Sequence, residues 1–263
     1  MILDVVPDSV LRAADSEFRK ITSLRLNRRV AGLLVGYGVV AFAIMGLTFE
    51  PADAAVRDRF LFATGSAVAP GLALLAAVVL AAALGAVVSG DEYRLGSLGL
   101  SALFTPDRNL LFGAKLGVAA AVSLAVTLGL EVLGGAALLL FGRDRVPLTA
   151  NMLAIFGGVA VAVVCWSIIG AALGFLLRTP VQAIAAMVAL AVLEPLVWIT
   201  AKAVGFGGLA NILPISATVG TMTNGAYVKG AYIAPTPAAI IVLLIWTGGS
   251  AAAAWWFFTR RDL

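Results

Sequence analysis

The sequence predicts an all-α polytopic membrane protein, and three observations support this fold class. Hydrophobic residues make up 62% of the 263 positions and charged residues only 12%, whereas a water-soluble domain carries about 25% charged residues. Six apolar runs are long enough to cross a bilayer as helices, which takes about 20 residues. The runs lack the alternation of barrel strands, so helices must satisfy their backbone hydrogen bonds within the lipid.

The apolar runs define six transmembrane spans and one single transmembrane domain over residues 1–263. A small-x-small sequence follows the first run at Ala52-Asp53-Ala54, but this run and its leader are too long for a removable signal. We therefore expect the first span to be retained. The spans are placed at 30–49, 67–89, 116–141, 151–177, 181–201 and 236–259.

The distribution of basic residues predicts the orientation, because Lys and Arg in short flanking segments stay on the cytoplasmic side. With the N-terminus inside, twelve of the 18 Lys and Arg residues fall in inner segments. Both termini are therefore expected in the cytoplasm.

The segment 9–28, before the first span, has the pattern of an amphipathic helix. Its apolar residues recur at steps of three and four, and its basic residues fall between them. We expect an interfacial helix on the inner membrane surface, with Lys20 and its other basic residues near anionic headgroups. A solvated helix packed on the inner surface is the alternative. The apolar positions are Leu11, Ala14, Phe18, Ile21 and Leu24.

The connector between the second and third spans is predicted to form a short helix at 91–104. Gly90 is expected to end the second span, and Asp91 to cap the new helix. Thr105-Pro106-Asp107 then fits an N-cap, a first helical position and an acidic first turn. The result is a bent element at the inner surface.

This connector resembles the cytoplasmic signature of the type-2 permeases of ATP-binding cassette (ABC) exporters, E-x-x-x-G-T-L, then P-x-R, then L-L-x-x-K. Ser97 replaces the usual Thr and keeps a hydroxyl group. The ending Arg260-Arg261-Asp262-Leu263 is similar to the Arg-Arg-Asp close of the same family, so the resemblance covers nearly the whole chain. The matching residues of the connector are Glu92, Gly96-Ser97-Leu98, Pro106, Arg108, Leu110-Leu111 and Lys115.

The resemblance implies a permease subunit of the bacterial plasma membrane, which pairs with a second permease and with separate ATPase subunits. It would move a hydrophobic or amphipathic substrate outward, with ATP and magnesium bound by the partner and no cofactor in this chain. The segment 91–104 would be the coupling helix that docks on the ATPase. An inner loop whose charges only enforce topology is the alternative. The coupling residues implied are Glu92, Tyr93, Arg94, Gly96, Ser97, Leu98, Pro106 and Arg108.

The segment 202–235 is too apolar for a solvated loop and too rich in Gly and Pro for a span. We expect a re-entrant hairpin that dips in from the outer face, and related permeases have such a hairpin over the exit of the pathway. A loop packed on the outer surface is the alternative.

Two acidic residues lie inside predicted spans, Glu131 in the third and Glu194 in the fifth. A charge at mid-membrane costs at least about 2.5 kcal/mol, so each should face protein or water. By resemblance the fifth span lies near the substrate path, which makes Glu194 the stronger candidate for a substrate or proton contact. For Glu131 a hydrogen-bonded structural role is preferred. The pairs Gly32/Gly36 and Gly170/Gly174 fit close helix packing.

Several chemistries are excluded by composition. The chain has one Cys, Cys165, and no His, which rules out an internal disulfide, a His-containing zinc site and a His-based triad. It has no phosphate-binding loop, so any ATP must be bound by another chain, and nothing indicates a nucleic-acid partner. The rival hypothesis is an ATP-independent membrane carrier or a membrane-embedded scaffold; an intramembrane enzyme is weaker.

Overall fold

The structure, a computed structural model, describes residues 7–48, 65–97, 99, 107–143, 146, 149–223 and 235–260. These ranges are helical and contain no β-strand. A short 3₁₀ helix, Gly207–Ile212, precedes α7. The α-helices are α1 (Asp8–Ser23), α2 (Arg25–Thr48), α3 (Gly65–Arg94), α4 (Arg108–Gly142), α5 (Ala150–Leu177), α6 (Pro180–Ala203), α7 (Pro214–Met222) and α8 (Thr236–Arg260).

Six of these helices, α2 to α6 and α8, are long and apolar enough to cross a membrane. They correspond one to one to the six predicted spans, which confirms the all-helical class and the number of spans. Most of their ends extend beyond the predicted bounds by one to eight residues, most of all at the start of α4. The end of α5 and the start of α8 coincide with the prediction, and α2 ends one residue earlier. The chain is thus a multi-pass membrane protein by the length and composition of its helices.

The core of the bundle is built on two helix pairs, α3 with α5 and α2 with α4. Gly85 and Gly170 allow the backbones of α3 and α5 to touch, because a Cβ at Gly170 would overlap the carbonyl of Ala82. The predicted packing role of Gly170 and Gly174 is therefore confirmed. Gly32 and Gly36 have no such contact within the part of this chain that the structure describes, since nothing lies within 4 Å of a Cβ built at either.

The second span ends later than the sequence analysis expected. α3 continues through Gly90 to Arg94, so Gly90 ends no helix and Asp91 caps none. The end is a Schellman motif at Gly96, which has φ +65°, with hydrogen bonds from Ser97 N to Glu92 O and from Gly96 N to Tyr93 O. Gly90 is instead needed for packing, because a Cβ there would lie 2.6 Å from Pro180 N.

The start of α4 also differs from the prediction. α4 begins at Arg108 with Asp107 as N-cap, whose carboxylate accepts from Asn109 N and Leu110 N. Thr105 and Pro106, expected to cap and begin this helix, lie outside the described residues, as do Leu98 and 100–104 of the expected coupling helix.

The predicted N-terminal helix 9–28 is divided in two by the extended residue Leu24. Residues 25–28 belong to α2. Asn27 Nδ2 donates to Ile21 O at 3.0 Å, which satisfies a carbonyl that the end of α1 leaves without a helical partner.

In the segment 202–235 the structure describes the 3₁₀ helix and α7 but not residues 224–234. Most α7 side chains are buried, and α7 packs against α5 and α8. Trp166 Nε1 donates to Thr218 Oγ1 at 2.7 Å, and Trp246 Nε1 donates to Ile212 O at 2.8 Å. The segment is therefore joined to α5 by a buried hydrogen bond and to α8 by an exposed one.

The glycine contacts predict opposite effects for two substitutions of the same kind. Gly170→Ala should lower the free energy of unfolding by roughly 1–3 kcal/mol, because the new methyl group forces α3 and α5 apart. Gly36→Ala, the control, should be neutral or stabilising by up to about 1 kcal/mol, since it adds helix propensity in open space. Denaturant titration in detergent measures both, and equal effects would contradict the packing assigned to Gly170.

Candidate functional site

Four charged side chains meet where α1 crosses the end of α3 and the beginning of α4. Lys115 Nζ lies 2.9 Å from Glu17 Oε2 and 2.7 Å from Glu92 Oε1. Lys20 Nζ lies 2.7 Å from Glu17 Oε1 and 2.9 Å from Glu92 Oε1. We call Glu17, Lys20, Glu92 and Lys115 the charge cluster; it forms a closed ring of alternating charge.

The charge cluster is buried on the Lys115 side and open on the Lys20 side. The side chains of Lys115, Glu17 and Glu92 are 0%, 3% and 10% exposed, and that of Lys20 is 47% exposed. Two ammonium groups balance two carboxylates, so the ring is neutral as a whole. Removing any one member would leave an uncompensated buried charge, which is far more costly than the intact arrangement.

The protonation of Lys20 follows from its neighbours. Its partial burial lowers its pKa, but hydrogen bonds and charge attraction from Glu17 and Glu92 outweigh this effect, so the pKa lies above its usual value. A raised lysine pKa stabilises the fold below the ordinary pKa and loses this effect only as pH rises through the raised value. Lys20 therefore remains charged at neutral pH.

Local structure explains why these side chains meet. Ala13, Glu17 and Ile21 form the buried stripe of α1 at steps of four residues, and Lys20 follows Glu17 by one turn. Glu92 belongs to the last turn of α3, whose end is fixed by the Schellman motif. Lys115 lies two turns into α4.

An aromatic cluster beside the charge cluster joins α4, α5 and α8. The ring of Phe112 lies 4.9 Å from that of Phe175 and 6.0 Å from that of Phe258, and Phe175 and Phe258 are 5.0 Å apart. Tyr93 meets Phe175 edge to face at 6.3 Å. The last turn of α3 thus contributes Glu92 to the charge cluster and contacts the aromatic cluster through Tyr93.

The other predicted coupling residues have different environments. Arg94 is exposed and paired with Asp91 at 3.0 Å, and Gly96 and Ser97 form the end of α3. Arg108 Nη1 donates to Thr259 O at 3.4 Å, which links the start of α4 to the end of α8. Glu92 contacts the chain's own lysines, although the sequence analysis assigned it to an ATPase-docking surface.

Sequence reasoning identified Glu92 and Lys115 through the family resemblance but missed Glu17 and the role of Lys20. The sequence analysis placed Lys20 near lipid headgroups and missed that it donates to Glu17 and Glu92. The available signal was Glu17 itself, an acid one turn from Ala13 and one turn from Ile21 on the same helix face. A charge in an apolar stripe indicates a buried partner.

Glu194, the preferred substrate-pathway candidate, is buried and serves as a cap for α7. Its Oε2 accepts from Ile215 N at 2.9 Å and its Oε1 from Ser216 N at 2.6 Å. These amides are the second and third of α7, which an N-cap side chain normally satisfies, and Leu213 supplies no such side chain. The carboxyl group of α6 therefore takes the place of the missing cap.

Glu131, the second candidate, is buried in α4, and its Oε1 has no hydrogen-bond partner among the described residues. It is not near the charge cluster along α4, from which it is separated by more than four helical turns. The structure does not bring Glu131 and Glu194 together with the charge cluster into one site.

Comparison with known proteins gives no assignment. No protein-family model matches the chain, and neither the curated proteins nor the solved structures contain a significant match. The class that the structure defines is a six-span helical membrane protein whose N-terminal helix is held to the bundle by buried ion pairs.

Lys115→Met is predicted to destabilise the protein strongly. It keeps the length of the side chain but leaves Glu17 and Glu92 facing each other with only Lys20 between them, which should cost roughly 3–5 kcal/mol. The control is Arg94→Gln, which removes an exposed pair and should cost about 0–1 kcal/mol. Denaturant titration in detergent compares the two; similar losses would show that the charge cluster contributes no more than a surface pair.

Glu194→Gln should loosen α7 without unfolding the bundle. An amide offers one acceptor oxygen for two backbone donors, and one orphaned buried donor costs about 1–3 kcal/mol. Hydrogen exchange of the amides of 215–222 should therefore accelerate, while Glu131→Gln leaves them unchanged. Unaltered exchange in the Glu194 variant would remove the capping role and restore the substrate-contact hypothesis.

Proposed function

We propose that this chain is the permease subunit of an ABC exporter, driven by ATP hydrolysis in separate partner subunits. The observation that supports it best is the charge cluster, because it joins an N-terminal helix to the end of one span and the start of the next. Glu92 and Lys115, which match the family signature, both belong to it. The proposal includes a second permease copy or related permease and a plasma-membrane location with both termini cytoplasmic.

In this proposal the charge cluster transmits force. A partner that contacts α1 and the segment after α3 moves them together. Two ion pairs join α1 to the spans, Lys20 with Glu92 and Glu17 with Lys115, and a third joins Glu92 to Lys115. Buried, mutually paired charges resist separation, since each would be left in a poorly solvated site. Displacement of α1 therefore becomes displacement of α3 and α4.

The aromatic cluster extends this path to α5 and α8. Phe112, Phe175 and Phe258 pack within 6.0 Å of one another, and close-packed rings leave little room for independent movement of the helices that carry them. The four spans α3, α4, α5 and α8 would therefore move together when a partner displaces α1. Such a concerted movement suits alternating access for a hydrophobic or amphipathic substrate.

The segment 202–235 fits the proposed re-entrant hairpin at the outer face. The buried contacts of α7 and its cap by Glu194 provide internal partners for backbone that does not span the bilayer. Motion of α6 would reach α7 directly through this carboxyl group.

The dependence on a partner is tested by ATP hydrolysis. Purified alone, the chain should hydrolyse no ATP, and the complex isolated from native membranes should contain a nucleotide-binding subunit that does. Robust hydrolysis by the isolated chain, or a functional transporter that contains no such subunit, would contradict the proposal and favour the ATP-independent carrier.

The transmission role is tested on α1 with two matched variants. Lys20→Gln removes two ion pairs from the exposed side of the charge cluster. It should lower the amount of substrate transported per ATP hydrolysed about tenfold, which corresponds to about 1.4 kcal/mol of coupling free energy. Arg19→Gln breaks only the exposed pair with Asp15 and should leave this ratio unchanged. Transport and hydrolysis are measured together in vesicles; equal ratios for both variants and wild type would rule out transmission through the charge cluster.

A further inference from the structure

An open cavity of about 590 Å³ lies between α1 and the end of α3, with the charge cluster forming part of its wall. Its size is that of a site for a small organic ligand. Its polar lining includes Glu17, Lys20, Asp91 and Glu92, together with the hydroxyl groups of Ser16 and Ser97. Its position, where α1 meets the last turn of a span, places polar groups next to the apolar bundle.

An apolar crevice of about 250 Å³ adjoins this cavity between α2, α3 and α4. Ile21, Asn27 and Val87 line both spaces, so the two are adjacent. Beyond these shared residues the crevice wall is mostly aliphatic and includes Leu34, Leu80 and Val126. A molecule that filled both spaces would need a polar end and a long apolar end.

The charges around the cavity identify the polar end. The cavity lining carries three carboxylates, of Glu17, Asp91 and Glu92, and the ammonium of Lys20. Lys115 and Arg94, outside the lining, pair with these carboxylates, so the charges around the cavity balance. Both contacts of Arg94 reach Asp91 Oδ1, at 3.0 and 3.1 Å, and the other described residues donate nothing to this carboxylate. A wall of paired opposite charges is complementary to a zwitterionic group.

We propose that this cavity binds a phospholipid whose headgroup carries a primary ammonium. The phosphate lies against the half-exposed ammonium of Lys20, the headgroup ammonium donates to Asp91 Oδ2, and one acyl chain enters the crevice. The bound lipid covers the open side of the charge cluster and so strengthens the attachment of α1. This inference does not depend on the proposed transport function.

The wild-type protein provides the first test. Reconstituted in nanodiscs of mixed composition and then extracted in mild detergent, it should retain phosphatidylethanolamine about tenfold over phosphatidylcholine, because a trimethylammonium group cannot donate a hydrogen bond. Native mass spectrometry counts the retained lipids. Glycerophosphoethanolamine, which has the headgroup but no acyl chain, should not displace the lipid at equal concentration. Equal retention of the two lipids, or displacement by the headgroup alone, would overturn the proposal.

Two variants test the two ends of the site, each against a control. Asp91→Asn should abolish the preference for phosphatidylethanolamine, whereas Asp15→Asn on the exposed face of α1 should retain it. Ala83→Phe fills the crevice and should remove the bound lipid, whereas Val79→Phe, on the exposed face of α3, should not. Retention that is the same in Asp91→Asn, Ala83→Phe and wild type would overturn the assignment of the cavity.

Discussion

The ammonium group of Lys115, buried without exposure between two carboxylates, is the constraint on which this end of the bundle depends. A buried lysine needs a compensating charge and acceptors for its N–H groups, and Glu92 accepts only one of the three. Glu17 accepts a second, which places α1 across the ends of α3 and α4. The second buried carboxylate, that of Glu17, needs a second positive charge. Lys20 supplies it and closes the ring by pairing with both Glu17 and Glu92. The position of an amphipathic helix is therefore set by electrostatics as well as by its apolar stripe.

The pairing of Glu92 with Lys115 also accounts for where α3 ends, which hydropathy does not. Glu92 reaches Lys115 only because α3 continues past Gly90, and the continuation is possible because Gly90 lets Pro180 approach. Gly96, with positive φ, then ends the helix where Glu92 occupies its last turn. The two glycines have different functions, one in tertiary packing and one in local backbone geometry.

The spans were predictable from the sequence because transfer of long apolar runs into lipid depends on composition alone. The ends were not, since either Gly90 or Gly96 could end a helix by residue type, and the contact of Gly90 with Pro180 that keeps it inside α3 is tertiary. Glu92 and Lys115 were found through a resemblance. The pairing of Lys115 with Glu17, 98 positions earlier in the chain, cannot be read from periodicity, because a helical pattern places charged residues on the solvent face. The capping contacts of Glu194 were missed for a similar reason, because the amides it caps are 21 and 22 residues away.

A double-mutant cycle between Glu17 and Lys115 tests the central claim, that these residues hold α1 on the bundle as one electrostatic unit. Glu17→Gln, Lys115→Met and the double variant are compared with wild type by denaturant titration in one detergent. We predict that the double variant loses less stability than the two single losses together, with a coupling energy of about 2–3 kcal/mol, because removing both charges leaves neither unpaired. Losses that add to within about 0.5 kcal/mol would contradict the account, since independent sites behave in this way.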